Sequence, residues 1–254
     1  MYCHIFLKIN PHKVDNLLLF IFLALLAEIL GTVGGFGSSL FFIPIASYFL
    51  DYQSVLGITA LFHVSSNISK IALFKKGFDK KLVITIGIPA VIFVIIGSWL
   101  VKYVQTEYLE ITLSLFLIIV SSLLLIFQKV KLKPTTSNSI AGGIISGFTA
   151  GLLGTGGAIR GMTLAAYNLK IEVFIATSAI IDLAIDASRS IVYTLNGYVH
   201  KHDLYLLPIL LIVSITGTYI GKIILSKVSE VVFKYIVLIL VFITGLVTLL
   251  KIIL

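Results

Sequence analysis

The stretch LVITIGIPAVIFVIIGSWLV, Leu82 to Val101, runs for twenty residues without a charged side chain. At 1.5 Å per residue such a helix is about 30 Å long, the thickness of a bilayer's hydrocarbon core. Lipid offers the backbone no hydrogen-bond partner, so a run of this kind satisfies itself as a helix. Residues 111–127, 139–159, 204–221 and 235–250 are equally free of charge. Two further helices, about 53–74 and 173–195, are as long but carry polar residues. The whole chain agrees: of 254 residues 59% are hydrophobic and 12% charged, and mean hydropathy is +1.12. A soluble domain carries about 25% charged residues. The composition therefore excludes a soluble enzyme, a nucleic-acid binder and a secreted disulfide scaffold, and predicts an all-α polytopic membrane protein of about eight transmembrane helices.

The net charge of +8 comes mostly from lysines in short gaps between apolar runs, the pattern of a protein oriented in a membrane rather than bound to nucleic acid. Cys3 is the single cysteine, and no Cys/His cluster has metal spacing, so neither a cofactor nor a metal is expected. The N-terminal MYCHIFLKINPHKVDN precedes an apolar run without a small-residue cleavage site, which makes that run a first membrane helix rather than a cleaved signal.

The chain repeats itself. A shift of 119 sets Gly35 and Gly37 on Gly154 and Gly156, Asn67 on Asp186, Ser69 on Ser188 and Lys70 on Arg189. A shift of 120 sets Gly77 on Gly197, Gly97 on Gly217, Lys102 on Lys222 and Glu110 on Glu230. Two homologous halves follow, residues 1–133 and 134–254. The first holds a helix broken at 34–37, a polar helix at 53–74 and apolar helices at 82–103 and 109–128. The second holds a break at 154–157, a polar helix at 173–195 and apolar helices at 204–223 and 232–253. The piece from Phe36 to Leu50 is short for a crossing and reads as a half-helix or re-entrant segment. Placing Lys8, Lys13, Lys75, Lys76, Lys80, Lys81, Lys129, Lys131 and Lys133 inside gives four net crossings per half and both termini in the cytoplasm. Lys222, Lys227 and Lys234 would then lie outside. An inverted pair of five-crossing halves is the other reading.

The breaks are where chemistry is expected. Glycine in a helix interior costs about 1 kcal/mol relative to alanine, so two matched clusters suggest deliberate unwinding. Gly35, Gly37, Ser38 and Ser39 on one side, and Gly154, Gly156 and Gly157 on the other, would leave free N–H groups at the start of a half-helix, where an anion can bind. Close packing through small residues is the plainer alternative, as for Gly143, Gly147 and Gly151. On the first polar helix His63, Asn67 and Lys70 share a face; on the second Asp182, Asp186, Arg189 and Tyr193 do. Charges at this depth cost at least ~2.5–3.5 kcal/mol each and turn to a cavity or a partner. Arg160 and Arg189 are the two arginines of the chain, and a guanidinium fork suits a sulfonate or carboxylate. They are candidates for an anion site, against snorkelling or pairing with Asp182 and Asp186. Glu28, Asp182, Asp186 and His63 are the candidates for carrying a proton.

Gly35-Phe36-Gly37-Ser38-Ser39 with Pro44, and Gly154-Thr155-Gly156-Gly157-Ala158, resemble the paired glycine-rich motifs of the TauE/SafE family of sulfite and organosulfonate exporters. Gly77-Phe78-Asp79 matches a further turn of that family, and Gly197-Tyr198-Val199 matches it without the acid. Ser38 and Ser39 stand where the family carries glycines, and Thr163 where a second proline is expected. The resemblance covers nearly the whole chain. It implies a secondary transporter in the cell membrane, an exporter of a small anion such as sulfite, a sulfonate or a carboxylate, with proton coupling as the expected drive. The partners are then a small anionic solute and the lipid bilayer, and no nucleic acid; a homodimer is left open. A channel could use the same broken helices. An intramembrane enzyme lacks its signature here, with no His-Glu-x-x-His and no Gly-x-Ser-x-Gly.

Overall fold

The computed structural model describes residues 11–126, 132–227 and 230–253. Cys3, Lys8, Lys129 and Lys131 lie outside these. The described residues form ten α-helices. Eight are long: α1 (Pro11–Gly34), α3 (Tyr52–Leu73), α4 (Lys80–Leu100), α5 (Thr106–Ile126), α6 (Thr136–Leu153), α8 (Ile171–Leu195), α9 (Leu206–Leu225) and α10 (Glu230–Ile253). Two are short, α2 (Ser39–Ala46) and α7 (Gly157–Ala165). Five of the long helices, α1, α3, α4, α5 and α9, are long and apolar enough to span a membrane. The protein is an all-helical, multi-pass membrane protein.

Local chemistry sets the helix ends. Asp51, Asp79 and Thr135 cap α3, α4 and α6 by accepting from the N–H groups of Ser54, Leu82 and Asn138. Gly154 closes α6 in the left-handed conformation, φ +80°. Gly77 and Gly197, beyond the ends of α3 and α8, hold φ of +96° and +83° in open space, so backbone conformation alone calls for glycine there.

The packing of the first five helices is repeated by the last five. Helix α6 lies on α4, and α1 lies on α9. On α6, a Cβ at Gly143, Gly147 or Gly151 would stand 2.2–2.4 Å from a carbonyl oxygen of α4. Only glycine permits that approach of backbone to backbone. Gly217 and Gly221 of α9 make the same kind of room for Glu28 and Thr32 of α1.

Helix direction decides the topology. Asn67 meets Asp186 while His63 meets Arg189 and Ser54 meets His200, so α3 and α8 run antiparallel. Gly245 of α10 lies against Ser114, Leu117 and Ile118, and Thr248 and Ile252 share a cavity with Glu107 and Glu110, so α5 and α10 are antiparallel too. Equivalent helices that oppose each other belong to inverted units. Glu28 of α1 reaches Ser66 and Lys70 of α3 and Thr218 of α9, and Lys222 reaches Leu73; together with the α1–α9 register this makes α1, α3 and α9 parallel. Two successive long helices with one direction require the chain between them to return. Residues 35–51, with α2 at their centre, do so, and α7 with its flanks does so between α6 and α8.

Each unit therefore traverses five times, and the four-crossing parallel count is corrected to the inverted reading. The start of α1 and the end of α10 share one face. The loops bearing Lys75, Lys76, Lys80 and Lys81, and Lys222 and Lys227, share the other. The sequence count put the N-terminus on the lysine-rich side because it gave α2 no traverse of its own.

Candidate functional site

The two breaks bring α2 and α7 together. Gly35 and Gly37 have φ of +69° and +84° and turn the chain after α1. Ser39 Oγ lies 3.0 Å from Thr155 Oγ1 across the break, and a Cβ at Gly157 would stand 1.7 Å from the carbonyl oxygen of Phe36. Neither α2 nor α7 has a side-chain cap. The uncapped N-termini of both short helices, with the positive ends of their dipoles, therefore meet at one place.

They enclose a cavity of about 20 Å³, room for about one water molecule. Gly37, Ser38 and Ser39 line it from the first break, and Gly154, Gly156, Gly157 and Arg160 from the second. His63 and Asn67 enter from α3, and Asp182, Asp186 and Arg189 from α8. Gly35 does not reach it; a Cβ there would meet the ring of Phe174. Glu28 sits behind the cavity wall.

The six charged side chains in and behind the cavity wall are paired. Glu28 is fully buried, with Lys70 Nζ 2.9 Å away. Its carboxylate also accepts from Ser38 (2.6 Å), Ser66 (2.5 Å), Thr218 (3.0 Å) and Thr32 (3.3 Å). Every neighbour is a donor, a shell suited to the ionised acid. Asp186 holds Arg189 Nε at 2.7 Å and accepts from Asn67 at 2.7 Å. Arg189 spends its other edge on the carbonyls of Gly154 (2.5 Å) and Ala150 (3.3 Å). Asp182, which has no cation near it on its own helix, forms an ion pair with Arg160 of α7. Arg160 Nε donates to Ser178 at 3.1 Å. Its Nη2 points between the breaks, 3.3 Å from where a Cβ of Gly157 would be and 3.8 Å from one at Gly37.

His63 connects the two clusters. An arginine can only donate, so Arg189 Nη2, 3.3 Å away, makes His63 Nδ1 an acceptor. Nε2 then carries the proton and donates to Ser38 Oγ at 3.0 Å, and Ser38 donates onward to Glu28. The tautomer follows from valence.

Sequence reasoning left Lys70, Ser66, Ser178 and Thr218 off the site. Lys70 was legible as the repeat partner of Arg189. Ser178 and Thr218 carried no signal, because hydroxyls are common in apolar helices.

Compared with known proteins, residues 20–248 match the family described as sulfite exporter TauE/SafE. The chain is also 28% identical over 228 residues to a probable membrane transporter protein of Methanocaldococcus jannaschii, covering 80% of this chain and 83% of that one.

Proposed function

The chain belongs to the sulfite exporter TauE/SafE family, and from that premise we propose that it carries a small anion, such as sulfite or a sulfonate, across the membrane by proton-coupled secondary transport. The family and the relative both support a membrane transporter. The finer reading rests on one observation: the cavity joins two uncapped helix N-termini to a charge set that sums to zero, with Lys70, Arg160 and Arg189 against Glu28, Asp182 and Asp186.

A neutral buried site resists an added anion unless a positive charge arrives with it. A proton on one carboxylate supplies that charge. Asp182 is the acid suited to take it: its side chain is 16% exposed, against 7% for Asp186 and 0% for Glu28. Protonating Asp182 frees Arg160, whose guanidinium then faces the anion together with the N–H groups of α2 and α7. The cavity holds about one water and has to widen for sulfite, and further for a sulfonate.

The same reading orients the protein. Among the described side chains Lys75, Lys76, Lys80, Lys81, Lys133, Lys170, Lys222 and Lys227 fall at one face, and Lys102 and Lys201 at the other. By the positive-inside rule the first face is cytoplasmic, which puts the start of α1 and the end of α10 outside, the reverse of the sequence expectation. In a Cys3→Ser background, an impermeant maleimide applied to intact cells should label Lys201→Cys and spare Lys76→Cys; the opposite pattern overturns this orientation.

The transport reading is tested in proteoliposomes with sulfite and a small sulfonate. Saturable flux that rises with an imposed pH gradient is expected, with Asp182→Asn insensitive to the gradient. Flux that ignores the gradient in the parent protein removes the proton, and ohmic current without saturation replaces the transporter by a channel.

A further inference from the structure

The turn between α8 and α9 gathers His200, His202 and Asp203 at the face opposite the lysine-rich loops. One ligand atom from each lies within 4.8 Å of the other two, the one such group among the described residues. Asp203 is 2% exposed, yet its Oδ2 has no hydrogen-bond partner. That oxygen lies 3.7 Å from His200 Nδ1, and Oδ1 lies 3.4 Å from His202 Nε2. The two imidazoles stack 5.2 Å apart at 8°. A buried carboxylate oxygen aimed at imidazole and bonded to nothing is an expense the fold has no packing reason to bear.

We propose that His200, His202 and Asp203 bind a first-row divalent cation of the Zn²⁺ type. Two imidazole nitrogens and a carboxylate are the donors such ions take, whereas Mg²⁺ and Ca²⁺ prefer all-oxygen sets. Ligand distances near 2.0–2.2 Å put the donors of a tetrahedral site about 3.3–3.5 Å apart. The three donors already lie within 4.8 Å of one another, so binding asks the turn to close by up to about 1.5 Å. Three protein ligands leave the fourth position to water.

The turn is held ready for this. His200 Nδ1 is 2.7 Å from Ser54 Oγ, which is itself 2.7 Å from Asp51, the N-cap of α3. Ser54 gives its own proton to Asp51, so His200 Nδ1 donates to Ser54; that bond orients the ring and leaves Nε2 as the nitrogen able to ligate. A Cβ at Gly57 would stand 2.5 Å from the carbonyl of Tyr198, so the start of α3 grips the turn directly. A bound ion would fasten the α8–α9 turn beside α3, and α3 and α8 are the two helices whose polar faces meet at the candidate transport site. The sequence hid this group, because His-Lys-His-Asp has no recognised metal spacing and a short turn brings its members together.

The test is Zn²⁺ titration of the purified full chain by calorimetry, alongside melting temperature with and without the ion. One equivalent bound at micromolar affinity is expected, with a higher melting temperature. His202→Ala, at a side chain 74% exposed, should fold normally and weaken binding at least tenfold, and His200→Gln with His202→Ala should abolish it. Equal Zn²⁺ affinity in the parent and the double variant would overturn the assignment by moving the ion elsewhere. Absence of binding up to 1 mM, with stabilisation by mild acid alone, would make the group a protonated imidazole–carboxylate pair and overturn it as well.

Discussion

Where α1 packs on α9, Glu28 occupies the space that Gly217 leaves; a Cβ at Gly217 would lie 2.8 Å from its side chain. At the matching contact of α6 with α4, the shift of 119 puts Gly147 in the place of Glu28, and the backbones close to 2.2 Å of a hypothetical Cβ. The same shift sets His63 against Asp182 and Phe41 against Arg160. Helix plan and contacts are shared, but the charges are not. The first unit buries one acid inside a complete shell of donors, a closed structural device. The second carries both arginines and two acids on the cavity wall, where charge can be exchanged. On the proposed reading the frame recurs in both units, and the divergence of side chains leaves fixing to one and binding to the other.

That contrast breaks most visibly if the closed pair is opened. Lys70→Met leaves Glu28 ionised without its cation, and Arg189→Met does the same to Asp186. Each should cost about 3–5 kcal/mol of unfolding free energy in detergent. Adding Glu28→Gln or Asp186→Asn should recover most of it. A loss below about 1 kcal/mol for Lys70→Met would remove the structural role from the first unit.

Next in size is Arg160→Gln. Losing a charge-assisted contact in a shielded site should cost about 2–4 kcal/mol, a rise of roughly 30- to 1000-fold in the apparent constant for the anion. Arg160→Lys should fall between, since it keeps the charge without the fork. If Arg160→Gln transports normally while Lys70→Met does not, the roles of the two units are exchanged.

The breaks separate more finely. Gly156→Ala would place a Cβ 2.0 Å from the carbonyl of Ser146, so it should destabilise by about 1–3 kcal/mol through overpacking. Gly37→Ala has no neighbour nearer than 3.8 Å and should cost about 1–2 kcal/mol for its left-handed backbone, while its methyl takes up space beside Arg160 at the cavity and lowers transport. Similar transport in both, with similar melting temperatures, would erase the distinction. The smallest effect belongs to Gly77→Ala and Gly197→Ala. Nothing lies within 4 Å of either site, so each should cost the same, about 1 kcal/mol or slightly more, with unchanged transport. Unequal melting temperatures would show that the two turns are not equivalent.

Much of this was legible in the residues. Lipid forces helix on an uncharged twenty-residue run, so Leu82 to Val101 and its counterparts declared membrane helices without further context. The shift of 119 exposed the repeat, and the cost of charge in lipid singled out Arg160, Asp182, Asp186 and Arg189. Glu28 looked alone in its span because its partner Lys70 comes from a helix distant in sequence. Asp182 looked unpaired because Arg160 arrives from α7.

Sequence by itself determined the medium, the helical content, the duplication and the residue types that face inward, because each follows from transfer energies and spacing along one chain. The tertiary structure decided which charges pair, that α2 and α7 return the chain and invert the second unit, and that a turn of two histidines and an aspartate converges at one face. These depend on the direction in which helices approach one another, and direction leaves no trace in hydropathy.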